Sequence, residues 1–257
     1  RSMKSEIFDI NNIRYWNGSD GYFIASTAEG VSIKGRYVIQ PYGRVRVLYE
    51  KRYVDGRYGD TIEVLRLLQT SDEDATMALL EAGVVKGVRS GKAYEVMVTL
   101  GDQFWQILDA CIDAPFQQIN IDGHKVFPHL QLERVKGIGP IVGQEMIASW
   151  REIRHGFRAL KLAMMLGLNL KQYDKAVAFL GGPNKFIDTV MNTPYALTRI
   201  KGFTWADADF IARVDVEGKP AVELDAPTRL AAAVREAIRL ESAWGHIGGN
   251  YARVMEI

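Results

Sequence analysis

Val135-Lys136-Gly137-Ile138-Gly139-Pro140 is the fullest of three related stretches in this chain. The others are Val85-Lys86-Gly87-Val88 and Ile200-Lys201-Gly202-Phe203. Each runs in the order β-branched residue, lysine, glycine, apolar residue. Six residues after each glycine stands a small residue: Ala93, Gly143 and Ala208. Glycine permits a tight turn between two helices. A small residue early in the second helix lets the first helix pack close. Pro140 suits a first helical turn, where its missing N–H costs nothing. The pattern predicts tandem helix-hairpin-helix units.

Such a hairpin aims backbone N–H groups out of a helix N-terminus, and a nucleic-acid phosphate is a suitable occupant. The lysine adds a point charge. Candidate DNA-binding residues are therefore Lys136, Gly137, Gly139 and Val142 in the middle copy, Lys86 and Gly87 in the first, and Lys201 and Gly202 in the third. Ile138 is expected to point inward and pin its hairpin. Gly139 is expected to need a positive φ or to admit close approach of a phosphate. The alternative for any one copy is a packing device that touches no ligand.

Ahead of the repeats the chain reads as β. The stretches 7–16, 22–27, 31–39, 44–54 and 61–68 are rich in Val, Ile and Tyr, with turn pairs such as Asn17-Gly18, Asp20-Gly21 and Asp55-Gly56 between them. Five short strands in this length suit a small barrel of the oligonucleotide-binding (OB) type, with an SH3-like barrel as competitor. From Lys34 to Arg57 seven basic residues face two acidic ones, an excess of five positive charges. Tyr37, Tyr42, Tyr49 and Tyr53 lie among them. Cations that track phosphates and rings that stack on bases suit single-stranded nucleic acid. Arg44, Arg46 and Arg52 join the candidate DNA contacts on this ground, Arg44 and Arg46 sharing one strand face. The alternative is an ordinary sheet whose tyrosines close its core edge.

After Thr70 the pattern turns helical. Ser71 before Asp72-Glu73-Asp74 is an N-terminal helix signal. A helical pattern over 159–180 breaks at Gly167-Leu168-Asn169, and Pro227 opens a helix with Leu230, Val234 and Ile238 on one face, stopped at Gly245. The expected fold is α+β: an OB-like β-barrel over 1–70, an all-α tandem helix-hairpin-helix domain over 71–247, and the start of a further region over 248–257. Arg1-Ser2 reads as a remnant ahead of a native Met3.

The 257 residues are 47% hydrophobic and 25% charged, with a net charge of +1, which excludes disorder as a description of the whole chain. The longest apolar stretch, 160–170, is too short to span a bilayer. A single cysteine, Cys111, forbids an internal disulfide and fits a reducing, cytoplasmic setting.

The residues from Asn192 onward resemble a known signature. Asn192-Thr193-Pro194-Tyr195-Ala196-Leu197, Ile200-Lys201-Gly202-Phe203 and Ala206-Asp207-Ala208-Asp209-Phe210-Ile211-Ala212 are similar to the N-terminal region of RecD-like DNA helicases of superfamily 1, with Thr193 inserted. Ala82 to Val88, Gly245-His246 and Asp20-Gly21-Tyr22-Phe23 resemble further parts of that region. The resemblance implies a DNA-binding or accessory region of a 5′-to-3′ helicase used in repair or recombination. ATP and Mg²⁺ then belong to motor domains outside it. The implied partners are DNA, single-stranded or junctional, the motor domains, and a single-strand binding protein, with no membrane. The alternative function is a protein-interaction module that docks a repair or replication partner.

The chain itself is expected to be no enzyme. Gly87-Val88-Arg89-Ser90-Gly91-Lys92-Ala93 has three spacer residues where a nucleotide-binding loop needs four, and no hydroxyl for Mg²⁺. The four histidines are scattered and show no zinc spacing. Asp207 and Asp209 fall on different helix faces and form no carboxylate pair.

Overall fold

The computed structural model describes residues 3–56, 59–88, 91–216, 219 and 221–243. The architecture is mixed α+β, and the chain divides into two compact units, residues 1–171 and 172–257.

The first unit opens with a curled seven-stranded sheet in the order β5-β6-β3-β2-β1-β4-β7. These strands are β1 (Lys4–Asn17), β2 (Tyr22–Thr27), β3 (Ser32–Arg36), β4 (Arg44–Tyr49), β5 (Arg52–Gly56), β6 (Gly59–Glu63) and β7 (Arg66–Gln69). β1 is long enough to serve two partners. Lys4–Asp9 pairs with β4 and Ile10–Asn17 with β2. Two register irregularities beyond Ile10 bend the strand where it changes partner. β6 runs parallel to β3, while β7 runs antiparallel to β4. Only Val64 and Leu65 separate β6 from β7. The Val64 N–H donates to the Lys34 carbonyl at 2.8 Å, and the Leu65 N–H to the Leu48 carbonyl at 2.9 Å. One segment, 59–69, thus lies along both β3 and β4, and the sheet curls to meet it.

Alternation sets which side chains fill the curl. Phe23 and Ala25 of β2, Ile33 of β3, Val45 and Val47 of β4, Ile62 and Leu67 are buried, while Arg44 and Arg46 face out. The strand stretch expected over 44–54 is two strands, β4 and β5, turning at Glu50-Lys51.

Helices follow: α1 (Asp72–Glu81), α2 (Lys92–Leu100), α3 (Gln103–Asp113), α4 (Pro128–Leu132) and α5 (Pro140–Met165). Ser71 caps α1, its hydroxyl accepting the Asp74 N–H at 3.1 Å. Between α3 and α4 stands a hairpin, β8 (Ile119–Ile121) with β9 (His124–Val126), so the stretch expected to be all-α contains a small sheet. Its turn is Asp122-Gly123, both at positive φ, the pairing that a two-residue hairpin favours. Trp105, Trp150 and Phe157 join α3 to α5 with ring centroids 4.3–5.1 Å apart. Sheet and helices of this unit meet at Tyr37, fully buried, whose hydroxyl donates to the Met164 carbonyl at 2.6 Å. Burial pushes that phenol far above its ordinary range.

The second unit holds α6 (Leu170–Leu180), α7 (Pro183–Asn192), a 3₁₀ turn (Pro194–Arg199), α8 (Trp205–Arg213) and α9 (Pro227–Ala243). The break expected at Gly167-Leu168-Asn169 separates α5 from α6. α9 starts at Pro227, as its sequence pattern predicts, but its buried face is Ala232, Ala233 and Ala237. Leu230, Val234 and Ile238, which share one face as their spacing predicts, are 50%, 44% and 51% exposed, so that face is turned outward. Small alanines let a helix approach its neighbours closely, and that contact is made here in place of the larger side chains. Gly245, His246 and the stretch 248–257 lie outside the described residues. Among the described residues no helix is long and apolar enough to cross a membrane.

Tyr37→Phe removes a buried donor and leaves the Met164 carbonyl without it. A urea titration should show a loss of about 1–2 kcal/mol. Tyr53→Phe, at a 45% exposed phenol, should stay within about 0.5 kcal/mol of the parent. Equal values for the two variants would show that the Tyr37–Met164 bond adds nothing.

Candidate nucleic-acid interface

All three repeats adopt one local geometry. The N–H of the apolar residue donates to the carbonyl of the β-branched residue three before it. The distances are 3.2 Å for Val88 to Val85, 3.0 Å for Ile138 to Val135 and 3.0 Å for Phe203 to Ile200. The glycine occupies the third position of each turn, with φ of +85°, +82° and +110° at Gly87, Gly137 and Gly202. A turn closed this way with positive φ at its third position favours glycine there. The flanking apolar residues Val85, Val88, Val135, Ile138, Ile200 and Phe203 are all buried. Ala93, Gly143 and Ala208 are buried as well. Lys86, Lys136 and Lys201 are exposed.

Helices leave these turns differently. α5 begins three residues after Gly137, and α8 three residues after Gly202. Thr204 caps α8 in a reciprocal box. Its hydroxyl accepts the Asp207 N–H, and the Asp207 carboxylate accepts the Thr204 N–H. α5 has no such cap: Gly139 precedes it with no side-chain acceptor, and Pro140 has no N–H. The N–H groups of the first turn, those of Ile141 and Val142 among them, have no partner inside the helix. α2 begins five residues after Gly87, and Arg89 and Ser90 between them lie outside the described residues.

Ile138 points inward as expected, but Gly139 does not behave as expected. Its φ is −95° with ψ of −177°, ordinary extended backbone, and a Cβ placed there meets nothing within 4 Å. The positive φ belongs to Gly137. Close approach belongs to Gly87, where a Cβ would stand 2.9 Å from Val142 Cγ1 and 3.0 Å from Met146 Cγ. The Val142 side chain is therefore a packing partner of the first turn, and only its N–H is available to a ligand.

The first and second turns are tied together. Lys92 Nζ, at the start of α2, donates to the Gly137 carbonyl at 2.9 Å. The Lys86 N–H donates to Ser149 Oγ on α5 at 2.9 Å, so that amide is already used. A cleft of about 680 Å³ lies between them, lined by Lys86, Lys92, Glu145 and Glu152 among others. Two lysines against two glutamates leave it with no net charge. Beside this cleft the positive features left uncompensated are Lys136 and the uncapped N-terminus of α5. In the second unit Lys175 repeats the role of Lys92, donating from Nζ to the Lys201 carbonyl at 3.2 Å. Neither Lys92 nor Lys175 is a candidate on sequence grounds. Their partners lie 45 and 26 residues away, and no local pattern announces them.

The basic strands separate into two groups. Arg44 and Arg46 project from one face of β4 with no side-chain partner among the described residues. Arg52 is neutralised: its guanidinium donates to Asp60 at 2.7 and 3.2 Å and lies 3.7 Å from Glu6. Tyr37 and Tyr49 are core residues, the Tyr49 hydroxyl donating to Glu6. Neither ring can stack on a base, so the edge-of-core alternative describes both. Tyr42 is half-buried and Tyr53 stands exposed. Cys111 is buried, and burial pushes its thiol up to about 11. Among the described residues no group of three His, Cys, Asp or Glu side chains could hold a metal ion. No family model matches this chain, and neither a curated protein nor a solved structure matches it.

The two glycines of the interface should separate in a thermal melt. Gly87→Val forces a branched side chain into positive φ, a cost of about 1–3 kcal/mol before its overlap with Val142 is added. Gly139→Val replaces an open helix-capping glycine and should cost about 1 kcal/mol or less. A Gly139→Val loss as large as that of Gly87→Val would place the close contact at the wrong turn.

Proposed function

We propose that this chain is a DNA-binding accessory region, similar to the N-terminal region of a RecD-like 5′-to-3′ helicase and acting beside motor domains that carry the ATPase. The observation that carries the reading is the common geometry of the three turns: one hydrogen bond, one positive-φ glycine and one exposed lysine in each. That recurrence is what helix-hairpin-helix units require, with an exposed cation at each turn and, at the uncapped α5 N-terminus, backbone N–H groups for a phosphate. The OB-like reading of the sheet treats β6 and β7 as one bent strand. It is supported by β1 pairing with both β2 and β4, and by the parallel β3–β6 pair. Lys136, Gly137, Gly139 and the Val142 N–H form the leading contact, with Lys86, Lys201, Arg44 and Arg46 as further phosphate partners. A DNA-processing role and a single buried thiol fit a cytoplasmic setting.

A second reading has its own observation. The outward stripe Leu230, Val234 and Ile238 on α9 is the kind of surface a protein partner covers. A module that docks a repair or replication protein would use it.

Anisotropy titrations of labelled single-stranded, duplex and junction DNA over a salt series decide between them. For DNA binding, affinity falls steeply with salt, because each neutralised phosphate releases counterions. Replacing Lys86, Lys136 and Lys201 together by Ala should weaken binding to every sequence and lower the log–log salt slope by about one for each phosphate no longer neutralised. Arg44→Ala with Arg46→Ala should do the same independently. Unchanged affinity and slope in both variants would remove DNA from this reading and leave the docking module.

The chain should hydrolyse no ATP. The one stretch resembling a nucleotide loop is short by a residue, and its Lys92 is committed to the Gly137 carbonyl. Phosphate release above background that disappears in Lys92→Ala would overturn that expectation.

A further inference from the structure

A groove of about 600 Å³ in the first unit is bounded by Tyr42, the first turn of α1, the second half of α2 and the corner that leads into α3. The packing of α2 explains its apolar side. Ala93, Val96 and Leu100 turn that helix inward. Tyr94 and Val98, one helical turn apart on another face, are left 63% and 64% exposed. Half-buried Met97 and buried Met77 line the same groove. Tyr42 is held by its backbone: the buried Gln69 donates from Nε2 to the Tyr42 carbonyl at 2.6 Å.

Every charged side chain in this lining is acidic: Asp72, Glu73, Asp74 and Asp102. The four are not equivalent. Asp72 is paired with Lys161, and Asp74 accepts the Arg44 N–H at 3.3 Å. Glu73 and Asp102 have no partner among the described residues, and the Asp102 side chain caps nothing in α3. Helix dipoles account for the acids, three in the first turn of α1 and one ahead of α3. They do not account for a contiguous apolar surface left open beside those acids. The Tyr42 phenol senses the negative field: burial, with Glu81 and Asp74 nearby, holds it above its ordinary range.

We propose that this groove docks a basic amphipathic segment of a partner protein. Its apolar side chains sit on Tyr94, Met97 and Val98, and its lysines or arginines face Glu73 and Asp102. Charge selects this occupant. A nucleic-acid strand or an acidic peptide would add negative charge to a lining that holds no cation. A neutral apolar segment would desolvate Glu73 and Asp102 without pairing them. Basic side chains give both carboxylates a partner, and the tyrosine rings offer a cation a further attraction. The apolar contacts supply affinity, and the acidic rim supplies orientation and selectivity. The inference uses no side chain assigned to the turns, to the outer face of β4 or to the outward face of α9, so it stands apart from both readings above.

Anisotropy titration of the full chain with three labelled helical peptides of equal length tests it. The first carries leucine on one face and lysine on the other. In the second glutamate replaces the lysine, and in the third serine replaces the leucine. The leucine–lysine peptide should bind at least about tenfold more tightly than either control. Tyr94→Ala combined with Val98→Ala should weaken it about tenfold at an unchanged melting temperature, since both side chains stand largely in water. Glu73→Gln combined with Asp102→Asn should weaken it severalfold and flatten its salt dependence. Equal affinity for the leucine–lysine and serine–lysine peptides would reduce the groove to a diffuse acidic surface and overturn the proposal. So would equal affinity for the glutamate peptide, or full affinity in the folded Tyr94–Val98 variant. Spermidine binding as tightly as the peptide, or a dimer in sedimentation that the Tyr94–Val98 variant dissolves, would give the groove to a polyamine or to a second copy and overturn it equally. A failure of the DNA titrations leaves each of these outcomes unchanged, so the two are told apart.

Discussion

A single backbone hydrogen bond, from the N–H of an apolar residue to the carbonyl three residues earlier, fixes each of the three turns on which the helical part depends. Its closure needs positive φ at the third residue, so glycine is demanded there and nowhere else in the motif. Once the bond is made, the residues before and after the Lys-Gly pair must point the same way, into the protein. That is why Val85 and Val88, Val135 and Ile138, and Ile200 and Phe203 are buried as pairs. Burying two such side chains is favourable by roughly 3–6 kcal/mol per turn. The lysine, placed at the second corner, has no inward direction left. Its exposure at all three sites follows from the geometry.

Closing a tight turn also turns its carbonyls outward, and exposed carbonyls beside a basic surface would oppose a phosphate. The structure answers this twice with a lysine from another element. Lys92 covers the Gly137 carbonyl and Lys175 the Lys201 carbonyl. Each removes a partial negative charge from the turn and leaves an ammonium in its place. The first and second turns are further locked because Gly87 sits against Val142, so the N-terminus of α5 and the first turn hold each other in register. A change at Gly87 is therefore felt at the α5 N-terminus. A side chain at Gly139 would project into open space, where it meets no other part of the protein within 4 Å.

Much of this is legible in the sequence where a pattern is local. Period-two alternation locates the strands, the Ser71 cap locates α1, and the Lys-Gly spacing locates all three turns. What is not legible depends on distance or on size. The Tyr37 and Tyr49 rings belong to the core because β3 and β4 curl around it, and a basic neighbourhood in sequence does not reveal that. The spacing of Leu230, Val234 and Ile238 locates α9 but not its buried face: alanines at 232, 233 and 237 permit closer helix contact than leucine or isoleucine, and hydrophobicity alone ranks them the other way. At the middle turn the sequence Gly137-Ile138-Gly139 offers two glycines, and only the hydrogen bond shows which carries the positive φ. The β8–β9 hairpin is signalled by Asp122-Gly123 but lies between helical stretches, where a two-residue signal is easily passed over.

The net charge of +1 conceals a sorted distribution. Several cations are consumed by neighbouring carboxylates: Arg52 by Asp60 and Glu6, Arg154 by Asp113, Lys161 by Asp72, and Arg239 by Glu236. Arg229 is consumed by Asp209 in the most buried of these pairs. Such exposed pairs add little stability, but each cancels its own field at a distance of one Debye length. Lys86, Lys136, Lys201, Arg44 and Arg46 have no such partner among the described residues, and they stand at the turns and on the outer face of β4. Unpaired cations on a near-neutral protein repel one another only weakly, so folding does not select against them. Nor does it reward them, since an exposed lysine or arginine without a partner contributes almost nothing to stability. A cation that folding neither selects nor opposes is free to serve another purpose, and at the α5 N-terminus Lys136 stands near N–H groups that have no partner inside the helix.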